Sequence, residues 1–290
     1  MRKAILMTLG SITSVQIGSA FAKDLFPVAG PLEMAWLRVT MGGLLMAIFV
    51  RPHFRGRPRH DWLVLAGYSI SLVAMNVTFY QAISRIPIGL AVTIEFLGPL
   101  GVAASRILMH HGLRDLVWVA LAALGVLLLG WSPGSLTVSG VAFALMAAAC
   151  WAAYIVFTPH VGRSWSGVQA VLVANLVGSV VLLVPVLAMS HHVLVHPWVW
   201  GVGLAVGLLS SVLPYGLELA ALRTLDQRIF SILMSLEPAM AALFALVILG
   251  ERLTWTDAAA MACVIAASVG ITWSAGRRQL RDAQEQPDDG

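Results

Sequence analysis

Residues 88–108 read IGLAVTIEFLGPLGVAASRIL, an apolar run interrupted by one acid, Glu95, and closed off by Arg106. Wound as a helix at about 1.5 Å per residue, a run of this length crosses the roughly 30 Å hydrocarbon core of a bilayer. Working outward, comparable stretches lie at 4–22, 33–50, 62–82, 115–131, 138–158, 167–189, 198–222, 228–249 and 255–274. The pattern predicts an all-α polytopic membrane protein with ten transmembrane helices.

The basic residues give the orientation. With the N-terminus inside, the inner loops hold Arg2, Lys3, Arg51, Arg55, Arg57, Arg59, Arg106, Arg114, Arg163, Arg223, Arg228, Arg277, Arg278 and Arg281, and the outer loops hold Lys23, Arg85 and Arg252. Fourteen against three, with Arg38 left inside a span, is the asymmetry expected of a protein with its positive loops in the cytoplasm. Composition agrees. The chain is 59% hydrophobic and 11% charged, where a soluble domain carries about 25% charged residues. Its sequence pI near 9.5 therefore reflects loops facing anionic headgroups, and nothing in the pattern suggests a nucleic-acid surface. Cys150 and Cys263 both fall in spans, so no disulfide framework is implied.

The first 25 residues resemble a cleavable signal peptide, with MRK, an apolar run and Ala20-Phe21-Ala22. Ser11, Thr13, Ser14 and Gln16 make that run too polar for an ordinary signal core, and keeping it gives five spans plus five. It is therefore expected to stay as the first span. The two halves, 4–131 and 138–274, overlay at an offset of 139 residues, which places Pro99 on Pro238 and Asn76 on Tyr215. Five is odd, so a duplicated five-helix unit enters the membrane in opposite orientations. Inverted repeats of this kind are the architecture of secondary transporters, with the substrate site at the repeat interface. Residues 275–290 form a charged cytoplasmic tail expected to fray. The glycines, including Gly42-Gly43, Gly203 and Gly207, suit close helix packing and carry no functional assignment.

A charge at mid-bilayer costs on the order of 3 kcal/mol even on the mildest scale, so each ionisable residue in a span needs a reason. Four stand out: Arg38, Glu95, Glu218 and Glu237. Glu33, at the outer mouth of span two, is expected to be solvated. For Arg38 two readings stay open, snorkelling to the outer surface or pairing with Glu95 at similar depth. Glu95 lies one turn before Pro99, and Glu237 immediately precedes Pro238. Proline removes a backbone donor and frees a carbonyl that must face protein or a water-filled cavity. An acid at such a helix break suits a cation or proton site. The competing reading is a packing group hydrogen-bonded to a neighbouring helix. Glu218 sits near the inner end of span eight, which favours a solvated or gating position.

Gln16, Asn76, Tyr80, Trp151, Tyr154 and Tyr215 form a second, uncharged polar set able to hydrogen-bond a polar substrate. The same groups can equally make interhelical hydrogen bonds. All eight histidines lie in loops, and His192 and His196 have metal-compatible spacing without an acid or cysteine nearby. No metal site or cofactor is expected. No HExxH, GxSxG or P-loop occurs, so hydrolase and ATP-driven chemistry find no support, and the chain is not expected to be an enzyme.

Residues 80–100, YQAISRIPIGLAVTIEFLGPL, resemble the EamA family of the drug/metabolite transporter superfamily, and within it the threonine/homoserine exporter branch. Residues 14–27 (SVQIGSAFAKDLFP), 149–155 (ACWAAYI), 213–218 (LPYGLE) and 234–239 (MSLEPA) carry the same likeness. The resemblance runs from about residue 4 to 275. It implies two inverted EamA repeats, both termini cytoplasmic, and export of small polar metabolites from a bacterial cell across its inner membrane. The expected function is export of threonine- or homoserine-like amino acids by proton exchange. Alternatives are export of another metabolite or a drug, and more remotely a lipid flippase or membrane enzyme. The expected partners are a small-molecule substrate, protons and the lipid bilayer, with a homodimer left open.

Overall fold

The computed structural model describes residues 2–52, 54, 56–109, 116–129, 136–190 and 194–285. In chain order the helices are α1 (Arg2–Asp24), α2 (Phe26–Ala29), α3 (Pro31–Phe49), α4 (Arg59–Ile83), α5 (Ile88–Glu95), α6 (Leu97–Met109) and α7 (Leu116–Leu129). The second half holds α8 (Val138–Val161), α9 (Gly167–Ser190), α10 (Pro197–Gly207), a π-helical turn (Leu208–Val212), α11 (Leu213–Leu222), α12 (Gln227–Met234), α13 (Glu237–Leu249) and α14 (Trp255–Glu285). Among the described residues nine segments are long and apolar enough to cross a membrane, and the shorter apolar stretch Val117–Leu128 occupies the expected fifth position. Many of their side chains point outward. Leu127, Val180 and Val184 are about 70% exposed, a liability in water and an ordinary surface against lipid.

Two of the spans are interrupted where proline predicts. Span four parts at Phe96, between α5 and α6, one turn before Pro99. Span nine parts at Ser235-Leu236, between α12 and α13, just before Pro238. Span eight, which the hydropathy pattern draws as one continuous helix, passes through the π-helical turn before Pro214.

Equivalent helices of the two halves meet at the centre, where α3 packs along α9. Thr40 Oγ1 donates to Ser179 Oγ at 2.8 Å. These two residues are separated by 139 positions, the offset that overlays the halves. Residues related by a twofold axis touch only when they lie beside it, so this hydrogen bond marks the axis. Trp36 Nε1 reinforces it by donating to the Ser179 carbonyl at 2.8 Å.

Loops assigned to the same side of the membrane come together. At one end Lys23 Nζ pairs with Glu251 Oε1 at 2.5 Å and donates to the Ile86 carbonyl at 2.9 Å. Glu251 Oε2 accepts from the Ile88 amide at 2.9 Å, which supplies a partner for an orphan donor at the start of α5. At the other end Arg57 donates to the Ser164 carbonyl and lies 3.7 Å above the Trp165 ring, while Gln169 Nε2 donates to the Arg51 carbonyl at 3.2 Å.

Two expectations need correction here. Glu33 is buried, not solvated, at 5% exposure. Its carboxylate folds back over Gly30, whose φ of +69° leaves no room for a side chain there, and an acid is stabilised at the start of a helix. The tail does not fray at once, because α14 continues to Glu285. Arg, Gln, Leu, Ala and Glu are strong helix formers, which suits this extension.

Candidate functional site

Spans one, two, three, four, six, eight and nine line one cavity of about 160 Å³. Its polar lining is Gln16, Arg38, Asn76, Glu95, Trp151, Tyr154, Ser210, Tyr215, Glu218 and Glu237, and its apolar lining includes Val15, Met75, Phe79, Val92, Pro214 and Met234. The four ionisable residues singled out in the spans thus share one space.

The lining is layered. Gln16, Arg38, Asn76 and Glu95 each lie seven or eight residues from the helix end nearest Lys23, a depth of about 10–12 Å. Tyr154 and Tyr215 lie seven residues from the opposite ends of α8 and α11. Tyr154 also accepts a hydrogen bond from Tyr68 at 3.2 Å, with the rings 4.8 Å apart. Glu237 begins α13 between these layers. Glu218 is four residues from the end of α11 and accepts from Ser11 Oγ at 2.6 Å. It lines the same cavity as the other acids.

Pro214 organises the Lys23-side layer. In an α-helical register its missing N–H would have served the Ser210 carbonyl, and in the π register the Leu209 carbonyl. Both acceptors are taken up from outside the helix: Arg38 Nη2 donates to Ser210 O at 3.0 Å and Ser14 Oγ donates to Leu209 O at 2.6 Å. Arg38 therefore follows neither expected course. It turns inward instead of snorkelling, and it bonds a proline-orphaned carbonyl without forming an ion pair with Glu95. Arg38, Glu95 and Glu237 nevertheless line the same cavity.

Tyr80 is not among the cavity-lining residues: it is fully buried, packed on Phe26 at 5.8 Å, with the Arg38 guanidinium 5.7 Å from its ring. Pro99 and Pro238 shape the breaks without lining the cavity. Sequence reasoning missed Ser14, Ser210 and Pro214; the signal available was Pro214 itself, a further proline within a span. His196 is exposed away from the cavity, and His192 lies outside the described residues.

A model of the EamA-like transporter family matches the chain twice, over residues 2–131 and 138–273. The chain belongs to the EamA-like transporter family. It is similar to the threonine/homoserine exporter RhtA of Escherichia coli (strain K12), at 39% identity over 274 residues, covering 92% of this chain and 90% of that protein. The RhtA of Salmonella typhimurium (strain SL1344) is 38% identical over 271 residues with the same coverage. One protein of known crystal structure superposes with a TM-score of 0.63 over 94% of this chain and 98% of its own, at 18% identity, which supports the fold alone. The two-repeat, all-helical architecture is thus that of a multi-pass membrane transporter whose relatives are exporters.

Proposed function

We propose that this chain exports small polar amino acids of the threonine and homoserine class across the bacterial inner membrane in exchange for protons. The observation that carries the reading is the cavity itself, which gathers three buried or half-buried acids and one guanidinium between the two halves. A zwitterion needs both signs of charge, and a proton carrier needs an acid shielded from water. Size supports the choice among substrates. Drug-sized ligands occupy pockets of about 300–1,000 Å³, well above the 160 Å³ enclosed here. The names of the relatives point to the same substrate class. A proton moving across 100 mV releases about 2.3 kcal/mol, enough for a roughly fiftyfold gradient of a neutral zwitterion at one-to-one exchange. Counterflow of labelled threonine in proteoliposomes tests the reading. Uptake driven by internal threonine is expected, and no exchange of any amino acid by folded protein sinks it.

The charge asymmetry of the loops supports cytoplasmic termini. Reporter fusions after Arg57 and Arg281 are expected to read cytoplasmic and a fusion at Ser190 external, and the reverse pattern would invert the transport direction. In that orientation Lys23, Glu251 and the backbone at 86–88 tie the outer ends of α1, α5 and α13 together, while the cavity reaches toward the cytoplasm at Glu218. Breaking the tie should favour opening to the outside. A partly buried ion pair of this sort is worth about 1 kcal/mol, so Glu251→Gln should raise the outward-open population about fivefold. The rate at which an external, membrane-impermeant maleimide labels a cysteine placed at Phe79 measures it, and an unchanged rate removes the tie from the gating scheme.

A further inference from the structure

We propose that Arg38 is the carboxylate anchor of this transporter and restricts its cargo to molecules with a free carboxylate, in practice α-amino acids. The inference rests on the export reading above and adds which group recognises the substrate.

The argument begins with the cost of the residue. An arginine about 10 Å below the end of a span is expensive to keep there. The carbonyl it bonds, Ser210 O, does not justify it, because any neutral donor would satisfy a single orphan carbonyl, as Ser14 does for Leu209. Guanidinium offers five donors in a planar fork that matches a carboxylate. One of them is engaged by Ser210 O, and the group borders the cavity. The Tyr80 ring lies 5.7 Å from the guanidinium, and together with the Ser210 bond this contact holds the fork in place before any substrate arrives. Such preorganisation spares the entropy of ordering a long side chain on binding.

The remaining groups of this layer suit the other end of an amino acid. Gln16 and Asn76 are buried to 3% and 5% exposure and line the cavity, yet Gln16 Oε1 and Asn76 Oδ1 have no hydrogen-bond partner. Asn76 has its amide orientation fixed, since its Nδ2 donates to the Leu72 carbonyl at 2.8 Å. Buried acceptors left unpaired cost about 1–3 kcal/mol each, and an ammonium or hydroxyl donor would satisfy them. They lie at the same depth as Arg38 and Glu95. A small amino acid with its carboxylate on Arg38 therefore presents its ammonium to Asn76, Gln16 and Glu95 within one layer. The guanidinium supplies the only positive charge among the described lining residues, so the carboxylate has no alternative anchor there.

The test uses the full-length protein in proteoliposomes loaded with labelled threonine, with unlabelled competitors outside. Threoninamide keeps the ammonium and hydroxyl and lacks the carboxylate. In the wild type it should compete about 10- to 100-fold more weakly than threonine, the range for losing a charge-assisted pair. In Arg38→Gln, which removes the charge and the fork and keeps only an amide donor, threonine should weaken by a similar factor while threoninamide changes little, so the discrimination collapses. Arg38→Lys should fall between the two, since it keeps the charge and loses the fork. Equal competition by threonine and threoninamide in the wild type overturns the proposal without reference to any variant. So does undiminished discrimination in Arg38→Gln that elutes as a single species from size exclusion. Either result leaves amino-acid export standing, whereas absence of counterflow by every amino acid overturns both.

Discussion

Glu95→Gln and Glu237→Gln, made singly, are expected to separate pH-driven export from substrate exchange. In at least one of them, uphill threonine movement under an imposed proton gradient should fall about tenfold or more, while threonine-for-threonine counterflow survives. The reason is geometric before it is electrostatic. Both glutamates are 8% exposed, both stand at proline-associated breaks, and both line one cavity. Glutamine has nearly the shape of a protonated glutamic acid, so it locks the site in its neutral form and leaves the packing alone. A group that carries the proton then stops cycling, although substrate can still shuttle. If the two acids were interhelical hydrogen-bonding groups only, glutamine would preserve the bond and both transport modes would persist with unchanged pH dependence. That outcome would remove the protons from the mechanism and send the search to another driving ion. Glu218→Gln should be milder, a loss of about two- to fivefold, because the amide oxygen can still accept from Ser11.

How much of this site the chain discloses by itself depends on the range of the interaction. The spans, their alternation and the location of the acids follow from local hydropathy and from the cost of placing charge in hydrocarbon, which is paid residue by residue. Prolines 99 and 238 disclose two helix breaks for the same local reason. What stays hidden is pairing across distance. Nothing near Arg38 in sequence indicates that it will bond Ser210, 172 positions away, or that Ser11 will reach Glu218 at a separation of 207. The Lys23–Glu251 pair joins residues that look like ordinary loop charges. Glu33 misleads because depth along a span says nothing about the carboxylate folding back over its own helix start. Asn175, a buried polar residue in span seven, packs against Met46 and does not line the cavity, which its position in the sequence likewise leaves undisclosed.

The second large effect is expected at Gly207, which does not line the cavity. A methyl group there would stand 2.7 Å from Met41 Cβ and 2.8 Å from the Gly42 backbone nitrogen, and backbone cannot rotate aside. Gly42 faces the same crossing from the other side, where an added Cβ would meet Ser211 Cβ at 2.8 Å. The two glycines let α3 and the α10–π segment approach backbone to backbone, which is how helices associate when lipid supplies no hydrophobic drive. Four residues before Gly42 is Arg38, and three after Gly207 is Ser210. The close crossing therefore sets the 3.0 Å reach of Arg38 to the Ser210 carbonyl. Gly207→Ala should destabilise the protein by about 1–3 kcal/mol, the usual cost of overpacking. Its α3 should then stand off from the π-helical turn, so threonine counterflow should fall with it even in the fraction that remains folded. Gly207→Leu should yield no monodisperse protein in detergent. Thermal unfolding of the purified Ala variant followed by tryptophan fluorescence, beside Gly201→Ala as a control where an added methyl meets nothing within 4 Å, measures the difference. Equal midpoints for the two variants would mean that the crossing tolerates separation and that Arg38 is held by something other than this contact.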